Sequence, residues 1–375
     1  MLDRKICRDD MKYIFGDVLE IKNGKNQKAV ENAEGEYPIY GSGGIIGYAD
    51  DYICNADTVI IGRKGSINNP IYVKEPFWNV DTAFGLEANR EILLPKYLFY
   101  FCRKYDFEKL NKTVTIPSLT KSDLLKVQID VPEISDQEHV IKHLEKIEYI
   151  IELRQEELTR LDELIKARFV ELFGDSENNT RNWPVFKLCE LCDVGSSKRI
   201  YQEEQTTDGV PFWRISDLVN KMDTGYANSG LYISYEKYNE LIDNNQVPVE
   251  GDILVTSRGT LGRCYIISGA DEFYFQDGMI SWLSKYKKGI TPLYIKHLFM
   301  TPGIIRQIEG MQAGSTVAYL SIAMLKKLDI MLPDSETQNQ FGAFVKQVDK
   351  SKVAVQKSLD ETQILFDSLM QEYFG

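Results

Sequence analysis

The strongest constraint on this chain is that it is written twice. Sliding the sequence on itself by 201 residues aligns Thr115–Glu138 with Thr316–Asn339 without a gap, and 7 of those 24 positions are identical. The identities are Thr115/Thr316, Leu119/Leu320, Leu124/Leu325, Lys126/Lys327, Ile129/Ile330, Pro132/Pro333 and Gln137/Gln338. Upstream the echo continues at shorter offsets: Arg63-Lys-Gly-Ser-Ile parallels Arg258-Gly-Thr-Leu, Asp81 parallels Asp277, and Pro95-x-Tyr97 parallels Pro292-x-Tyr294. Near the starts of the copies the offset falls to about 173, so copy two is expected to carry an insertion of nearly 30 residues within Thr206–Gln246. A duplicated chain must bury two equivalent cores, and a length of 375 residues suffices for both.

Each copy repeats one plan. A mixed stretch rich in Gly, Tyr and short apolar runs such as Thr58-Val-Ile-Ile61, Asp252-Ile-Leu-Val-Thr256 and Cys264-Tyr-Ile-Ile267 reads as strands. A short helix follows at Lys121–Leu125 or Ile322–Lys326, then a strand ending in Pro132 or Pro333. One long helix then closes each copy, over about 136–173 and about 336–373. Ser135-x-x-Glu138 and Ser335-x-x-Gln338 have capping-box spacing at its start.

The first helix has a 4-3-4-3 seam of Val140, Leu144, Ile147, Ile151, Leu158, Leu161, Ile165 and Leu172, interrupted by Arg154 and Arg168. The second has Phe341, Val345, Val348, Val355, Leu359, Phe366, Leu369 and Tyr373, interrupted by Lys352 and Thr362. Such spacing over about five heptads specifies coiled-coil pairing, and each helix is the simplest partner for the other. An ordinary core helix is the alternative, and the length fits it poorly. The expected fold is therefore α+β, with two similar mixed α/β domains separated by two long antiparallel coiled-coil helices in a pseudo-two-fold repeat. The expected boundaries are 1–133 and 175–334 for the domains and 134–174 and 335–375 for the helices, joined by the polar linker Gly174–Trp183.

The net charge of −12 argues against a nucleic-acid partner only until it is divided. The two helical segments hold −8 of it, leaving domains that are nearly neutral. Basic clusters then stand out at Lys22/Lys25/Lys28, Arg63-Lys64, Lys109/Lys112, Lys198-Arg199, Arg258/Arg263 and Lys285/Lys287/Lys288, although a single cluster is commonly a solvated face. No apolar run approaches the roughly 18–20 residues of a membrane span. The start of the sequence has no apolar signal core, and the six cysteines show no disulfide framework, so a cytoplasmic setting is expected.

Catalytic motifs are missing. There is no phosphate-binding Gly-x4-Gly-Lys-Ser/Thr loop or Gly-x-Ser-x-Gly elbow, and Asn69-Pro70-Ile71-Tyr72 lacks the second proline of an amino-methyltransferase motif. Gly41-Ser-Gly-Gly44 has no Rossmann context. Asp17-x-x-Glu20-x-Lys22 has the residue types of a nuclease but is compressed and unrepeated. His139 and His143 are spaced to clamp zinc on a helix, yet they read as exposed side chains; Cys189-x-x-Cys192 lacks a second pair and is expected to pack inside. No catalytic and no metal residue is expected.

Two similar domains on a helical spacer suit two similar ligands at a fixed separation, which matches the symmetry of duplex DNA with half-sites one to two turns apart, a turn being roughly 34–36 Å. The residues themselves bear a likeness. Tyr37-Pro-Ile-Tyr-Gly-Ser-Gly-Gly-Ile-Ile-Gly-Tyr48, Val59-Ile-Ile-Gly-Arg-Lys-Gly-Ser66, Phe77-Trp-Asn-Val-Asp81, Val249–Gly262, Ile129-Asp-Val-Pro-x4-Gln137 and Glu171-Leu-Phe-Gly-Asp175 resemble the target recognition domains of type I restriction–modification specificity subunits.

The resemblance implies a non-catalytic subunit that binds a split double-stranded DNA target. It also implies assembly with two modification methyltransferase subunits docked on the helices, and with restriction endonuclease subunits. S-adenosylmethionine, ATP and Mg would belong to those partners, none to this chain. DNA contact is expected from loops carrying Lys22, Lys25, Arg63, Lys64, Ser66, Lys112 and Thr113 in copy one, and Lys198, Arg199, Trp213, Arg214, Ser257, Arg258, Thr260, Arg263, Gln312 and Ser315 in copy two. Two other readings stay open: a nuclease using Glu20 and Lys22, and a scaffold joining two protein-binding domains.

Overall fold

A computed structural model describes residues 11–111, 117–312 and 318–375. The chain forms two compact units, one comprising residues up to Glu157 together with Val355–Gly375, the other Leu158–Ala354. Each long helix, Ile134–Phe173 and Ser335–Phe374, therefore contributes to both.

In the first unit, Thr58–Gly62 is buried at all five residues, as a run apolar on both faces must be. It lies inside an antiparallel sheet ordered Leu19–Asn23, Ala83–Ala88, Thr58–Gly62, Ile71–Val73. Beside it Tyr37–Gly41 pairs with Gly44–Ala49 in a hairpin and, in parallel, with Trp78–Asn79. Strands Met11–Ile14 and Gln128–Val131 close the unit.

The second unit repeats this topology. Its main sheet runs Asp193–Gly195, Ile280–Ser284, Ile253–Thr256, Cys264–Ile266, and Val185–Lys187 pairs with Asp329–Met331. Val210–Trp213 pairs with Tyr232–Ile233 and, in parallel, with Tyr274–Phe275. The insertion falls within the expected stretch and is helical. Ile215–Thr224 stands where the first unit has the tight turn Ser42–Gly43, and Tyr235–Asp243 follows the next strand.

Two glutamines join each sheet domain to a long helix. Gln137 is wholly buried; its Oε1 accepts from the Leu94 N–H at 2.8 Å, and its Nε2 donates to the Ile92 and Pro132 carbonyls, both at 2.8 Å. Gln338 repeats this, accepting from the Thr291 N–H at 2.9 Å and donating to the carbonyls of Gly289 (3.3 Å) and Pro333 (2.9 Å). The expected capping boxes do not form, because Ser135 and Ser335 already lie in the first helical turn and are exposed. Asp334 caps the second helix instead, accepting from the Thr337 N–H at 2.8 Å, and this bond holds its carboxyl below the usual range. The glutamine side chains turn inward rather than back to a cap.

The seam is realised in both units. In the first, Val140, Leu144, Phe366 and Met370 are buried, with Ile147, Ile151, Leu369 and Tyr373 packed around them. In the second, Ile165, Phe169, Phe173, Phe341, Val345 and Val348 are buried, with Leu161 and Leu172 beside them. Val355 is also buried, whereas Leu158 and Leu359 are half-buried. Asp162 pairs with Lys352 at 2.6 Å and Phe169 meets Phe341 at 5.3 Å, so the helices of the second unit run antiparallel. The seam breaks keep their place by other means: Arg168 pairs with Glu171 and lies over Phe344, and the Arg154 Nε is buried without a hydrogen bond.

The helices end alike, in Phe173-Gly174 and Phe374-Gly375. Phe374 packs on Tyr97 at 5.0 Å, and Phe173 on Tyr294 at 4.8 Å. His297 lies against Phe341 and Phe169, where burial pushes its pKa down to about 4.

Two outcomes follow. Gln338→Leu strands the Thr291 N–H and two carbonyls, and urea unfolding followed by tryptophan fluorescence should show a loss of about 2–4 kcal/mol. For His297, the folded pKa lies below the ordinary value of 6.5. As pH falls from about 6.5 to about 4 the unfolded chain gains a proton that the folded chain refuses, so stability drops through that window. Unfolding measured across it should show a shallower acid dependence for His297→Leu.

Candidate nucleic-acid interface

The strand Thr58–Gly62 leaves its sheet into an exposed loop. Gly62 must be glycine there, since a Cβ would sit 2.3 Å from the Ser66 carbonyl oxygen. The Arg63 N–H donates to the Thr82 carbonyl at 2.7 Å, and its own carbonyl accepts from the Leu119 N–H at 2.9 Å. Gly65 has φ +81°, a left-handed conformation that favours glycine. Arg63, Lys64 and Ser66 are exposed, and the Arg63 guanidinium lies 5.7 Å over the buried Phe84 ring.

The second unit builds the same loop after Ile253–Thr256. Here the Ser257 N–H donates to the Met279 carbonyl at 2.9 Å, its carbonyl accepts from Leu320 at 3.0 Å, and Gly259 has φ +70°. These bonds equate Ser257 with Arg63 and Arg258 with Lys64, shifting by one the pairing that the sequence suggests. Ser257 is buried and bonded to the Ser281 hydroxyl at 2.8 Å, so its hydroxyl faces the core. Arg258 and Thr260 are exposed, and the Arg258 guanidinium rests 5.5 Å over the Tyr319 ring. The shared feature is a cation set directly before a left-handed glycine, Lys64-Gly65 and Arg258-Gly259.

A strap pins each loop. The Asn111 Oδ1 accepts from the Ser118 N–H at 3.2 Å, and the Gln312 Oε1 accepts from the Tyr319 N–H at 2.9 Å, each amide clamping the residue seven positions on. Gln312 also donates to the Tyr319 carbonyl at 3.0 Å. Asn111 and Tyr319 carry no pattern that marks them beforehand. Only the spacing of the two clamping amides echoes across the copies, Asn111 and Gln312 each standing eight positions before Leu119 and Leu320.

Other candidates are engaged within the fold. Lys22 pairs with Glu20 at 2.8 Å, which raises its pKa. Lys198 pairs with Glu240 (3.4 Å), Arg199 with Asp277 (2.8 Å), Arg214 with Asp217 (3.6 Å) and Arg263 with Asp223 (2.5 Å). Lys287 meets Asp193 at 2.7 Å, and Lys288 lies 3.7 Å over Phe186. Trp213 is a core residue, stacked on Phe273 at 3.7 Å with only its edge lining a cleft of about 270 Å³ that Tyr226 and Lys221 border. Lys25 is exposed, with its backbone tied to Asn79 and Trp78. Lys112, Thr113 and Ser315 lie outside the described residues.

His139 and His143 are exposed, their rings 4.0 Å apart, with the Tyr373 hydroxyl 3.5 Å from the His143 Nδ1. Among the described residues no group of three His, Cys, Asp or Glu side chains converges as a metal site. Cys192 is buried, with its thiol pushed up to about 12, but Cys189 is exposed, so only one of the two packs inside as expected.

Comparison with known proteins is consistent in kind. The family described as "Type I restriction modification DNA specificity domain" matches twice, over residues 9–163 and 180–362. A putative type I restriction enzyme specificity subunit of Haemophilus influenzae is 25% identical over 327 residues, covering 84% of this chain and 81% of that protein. The type I restriction enzyme MjaVIII specificity subunit of Methanocaldococcus jannaschii is 23% identical, over 79% of this chain and 70% of its own. In fold, the chain is similar to the crystal structure of a type I restriction–modification S subunit from M. genitalium, at TM-score 0.59 and 17% identity, covering 100% of this chain and 98% of that one.

Removing the clamp tests the loop geometry. Gln312→Leu should speed hydrogen exchange of the Tyr319 amide by about tenfold or more, the equivalent of one lost hydrogen bond. Mass spectrometry of the peptide containing Tyr319 reads this out.

Proposed function

Because the chain belongs to the type I restriction–modification DNA specificity family, we propose that it reads a split DNA target through two equivalent loops, Gly62–Ile67 and Ser257–Gly262. It is the specificity subunit of such a system and performs no catalysis of its own. The observation that carries the assignment of the loops is the repeated cation before a left-handed glycine. Lys64 and Arg258 are exposed and have no carboxylate partner among the described residues, while Lys22, Lys198, Arg199 and Arg263 are held in ion pairs. A cation without a partner loses no internal bond when it meets a phosphate or a guanine edge. Gly65 and Gly259 also leave no side chain between backbone and ligand.

In this reading the recognition domains are 1–133 and 175–334, and 134–174 and 335–375 are spacers that set the gap between half-sites. The helices would also dock two methyltransferase subunits. Their outward faces are acidic yet carry exposed apolar side chains: Tyr149, Leu153, Ile364 and Leu365 in the first unit, and Leu164, Val170 and Val353 in the second. Scattered exposed apolar residues are ordinary, but i,i+4 or adjacent pairs on a helix suit a partner helix. Restriction subunits complete the assembly, with S-adenosylmethionine, ATP and Mg held by the partners. No helix among the described residues is long and apolar enough to cross a membrane, and a cytoplasmic location accords with this role.

Footprinting of the assembled complex should give two protected patches around an unread gap. Lys64→Ala should relax or weaken the first half-site and Arg258→Ala the second, by about 1–3 kcal/mol each. Methylome sequencing of hosts carrying each variant identifies the affected half. Unaltered preference and salt dependence in both would sink the loop assignment.

A further inference from the structure

The hairpin of the first unit, Tyr37–Gly41 with Gly44–Ala49, packs through Ile39 and Ala49 on Trp78 and Val80, but its tip takes no part in that core. Its tip is Gly41-Ser-Gly-Gly-Ile-Ile-Gly47, without a charged residue. Ile45 and Ile46 are 52% and 57% exposed, and a β-bulge at Ile46, where Tyr40 faces Ile45 and Ile39 faces Gly47, leaves both apolar side chains uncovered at the tip. Gly43 and Gly44 have open space around them, and Gly44 has φ +128°. Exposed apolar side chains at a sheet edge invite aggregation unless they meet something.

Their surroundings say what that is. A Cβ on Gly62 would lie 3.1 Å from the Ser42 Cβ, so the hairpin tip abuts the base of the Arg63-Lys64 loop. The Val80 N–H donates to the Tyr40 carbonyl and the Lys25 N–H to the Asn79 carbonyl, which brings the Lys25 turn to the hairpin's other side. The tip is thus flanked by Lys25, Arg63 and Lys64, all exposed cations. In the second unit the corresponding connection is the helix Ile215–Thr224, and it too reaches the loop, through Asp223 to Arg263. The connection touches the reading loop in both units but differs completely in chemistry between them.

We infer that this hairpin is a base-reading finger whose Ile45 and Ile46 contact thymine methyl groups in the major groove of the first half-site, an inference that rests on the DNA-reading assignment above. A two-stranded ribbon fits the major groove, and the only apolar feature a base edge displays there is the thymine C5-methyl. Phosphate contact from the flanking cations would hold the ribbon in place, while Ile45 and Ile46 add discrimination that a cation cannot supply. The second unit, with a polar helix in the same position, reads its half-site by other contacts.

The test is a chemical double-mutant cycle on the complete complex with its methyltransferase subunits. Each thymine of the first half-site is replaced in turn by deoxyuridine, which deletes only the methyl group, and affinity is measured for the unsubstituted chain and for an Ile45→Ser, Ile46→Ser double variant. Binding by the unsubstituted chain should weaken about fourfold at one or more positions, the value of one buried methyl group. The double variant should bind the native site more weakly and lose that sensitivity, while its discrimination at positions of the first half-site other than those thymines, a control for folding of the first unit, stays unchanged.

The inference is overturned if the first half-site contains no thymine, if deoxyuridine is tolerated everywhere in it, or if the double variant keeps the same sensitivity. Lys64→Ala and Arg258→Ala separate the levels. If they alter preference and the hairpin variant does not, only the finger falls; if none of them does, the reading by these loops falls with it.

Discussion

Two buried amides tie each half of this protein together. Gln137 and Gln338 each satisfy a backbone N–H at the start of a short helix and two carbonyls, one on the preceding loop and one on the proline that precedes the long helix. A glutamine offers an amide oxygen and two donor hydrogens, and in each side chain the oxygen and both hydrogens are engaged away from solvent. The consequence is positional. The long helix cannot rotate or slide against its domain without breaking three hydrogen bonds at Gln137, or four at Gln338, where the Thr291 hydroxyl also donates to the amide.

Everything downstream inherits that alignment. With each helix start fixed, Tyr97 and Tyr294 present their rings to Phe374 and Phe173, so the end of one copy's helix is buried by the other copy's domain. The apolar seam fills the space between. In each domain the main sheet delivers a strand end into a glycine-containing loop beside an amide clamp. The scaffold is duplicated with high fidelity where it bears on the helices. It diverges at the hairpin connection, which is a two-residue turn in one unit and a helix in the other.

Charge follows the same division. The helices are acidic and the domains nearly neutral, and in the second domain many cations face carboxylates. Lys64 and Arg258, like Arg63 and Lys25, are exposed with no carboxylate partner among the described residues, unlike Lys198, Arg199 and Arg263. The aromatic shelves under Arg63 and Arg258 orient guanidinium groups without neutralising them.

The duplication, the element order, the heptad seam and the place of the insertion are all legible in the sequence, because periodicity and repetition are local properties of a string. Gln137 and Gln338 are visible as an identity, but their spacing suggests a cap. Only the inward turn of the side chains, set by the carbonyls of Ile92 and Gly289 some 50 residues away, makes them locks. The basic residues are visible too, and the sequence says nothing of which are spent. Pairing of Lys22 with Glu20, Arg199 with Asp277 and Arg263 with Asp223 depends on side-chain direction and on strands brought together from distant positions. Ser257 and Trp213 look like loop readers by type and are core residues by burial. The sequence by itself determined two copies of a domain and helix. Tertiary structure decided which cations remain free to meet DNA, because whether a charge has a partner is a matter of distance in space and not of spacing along the chain.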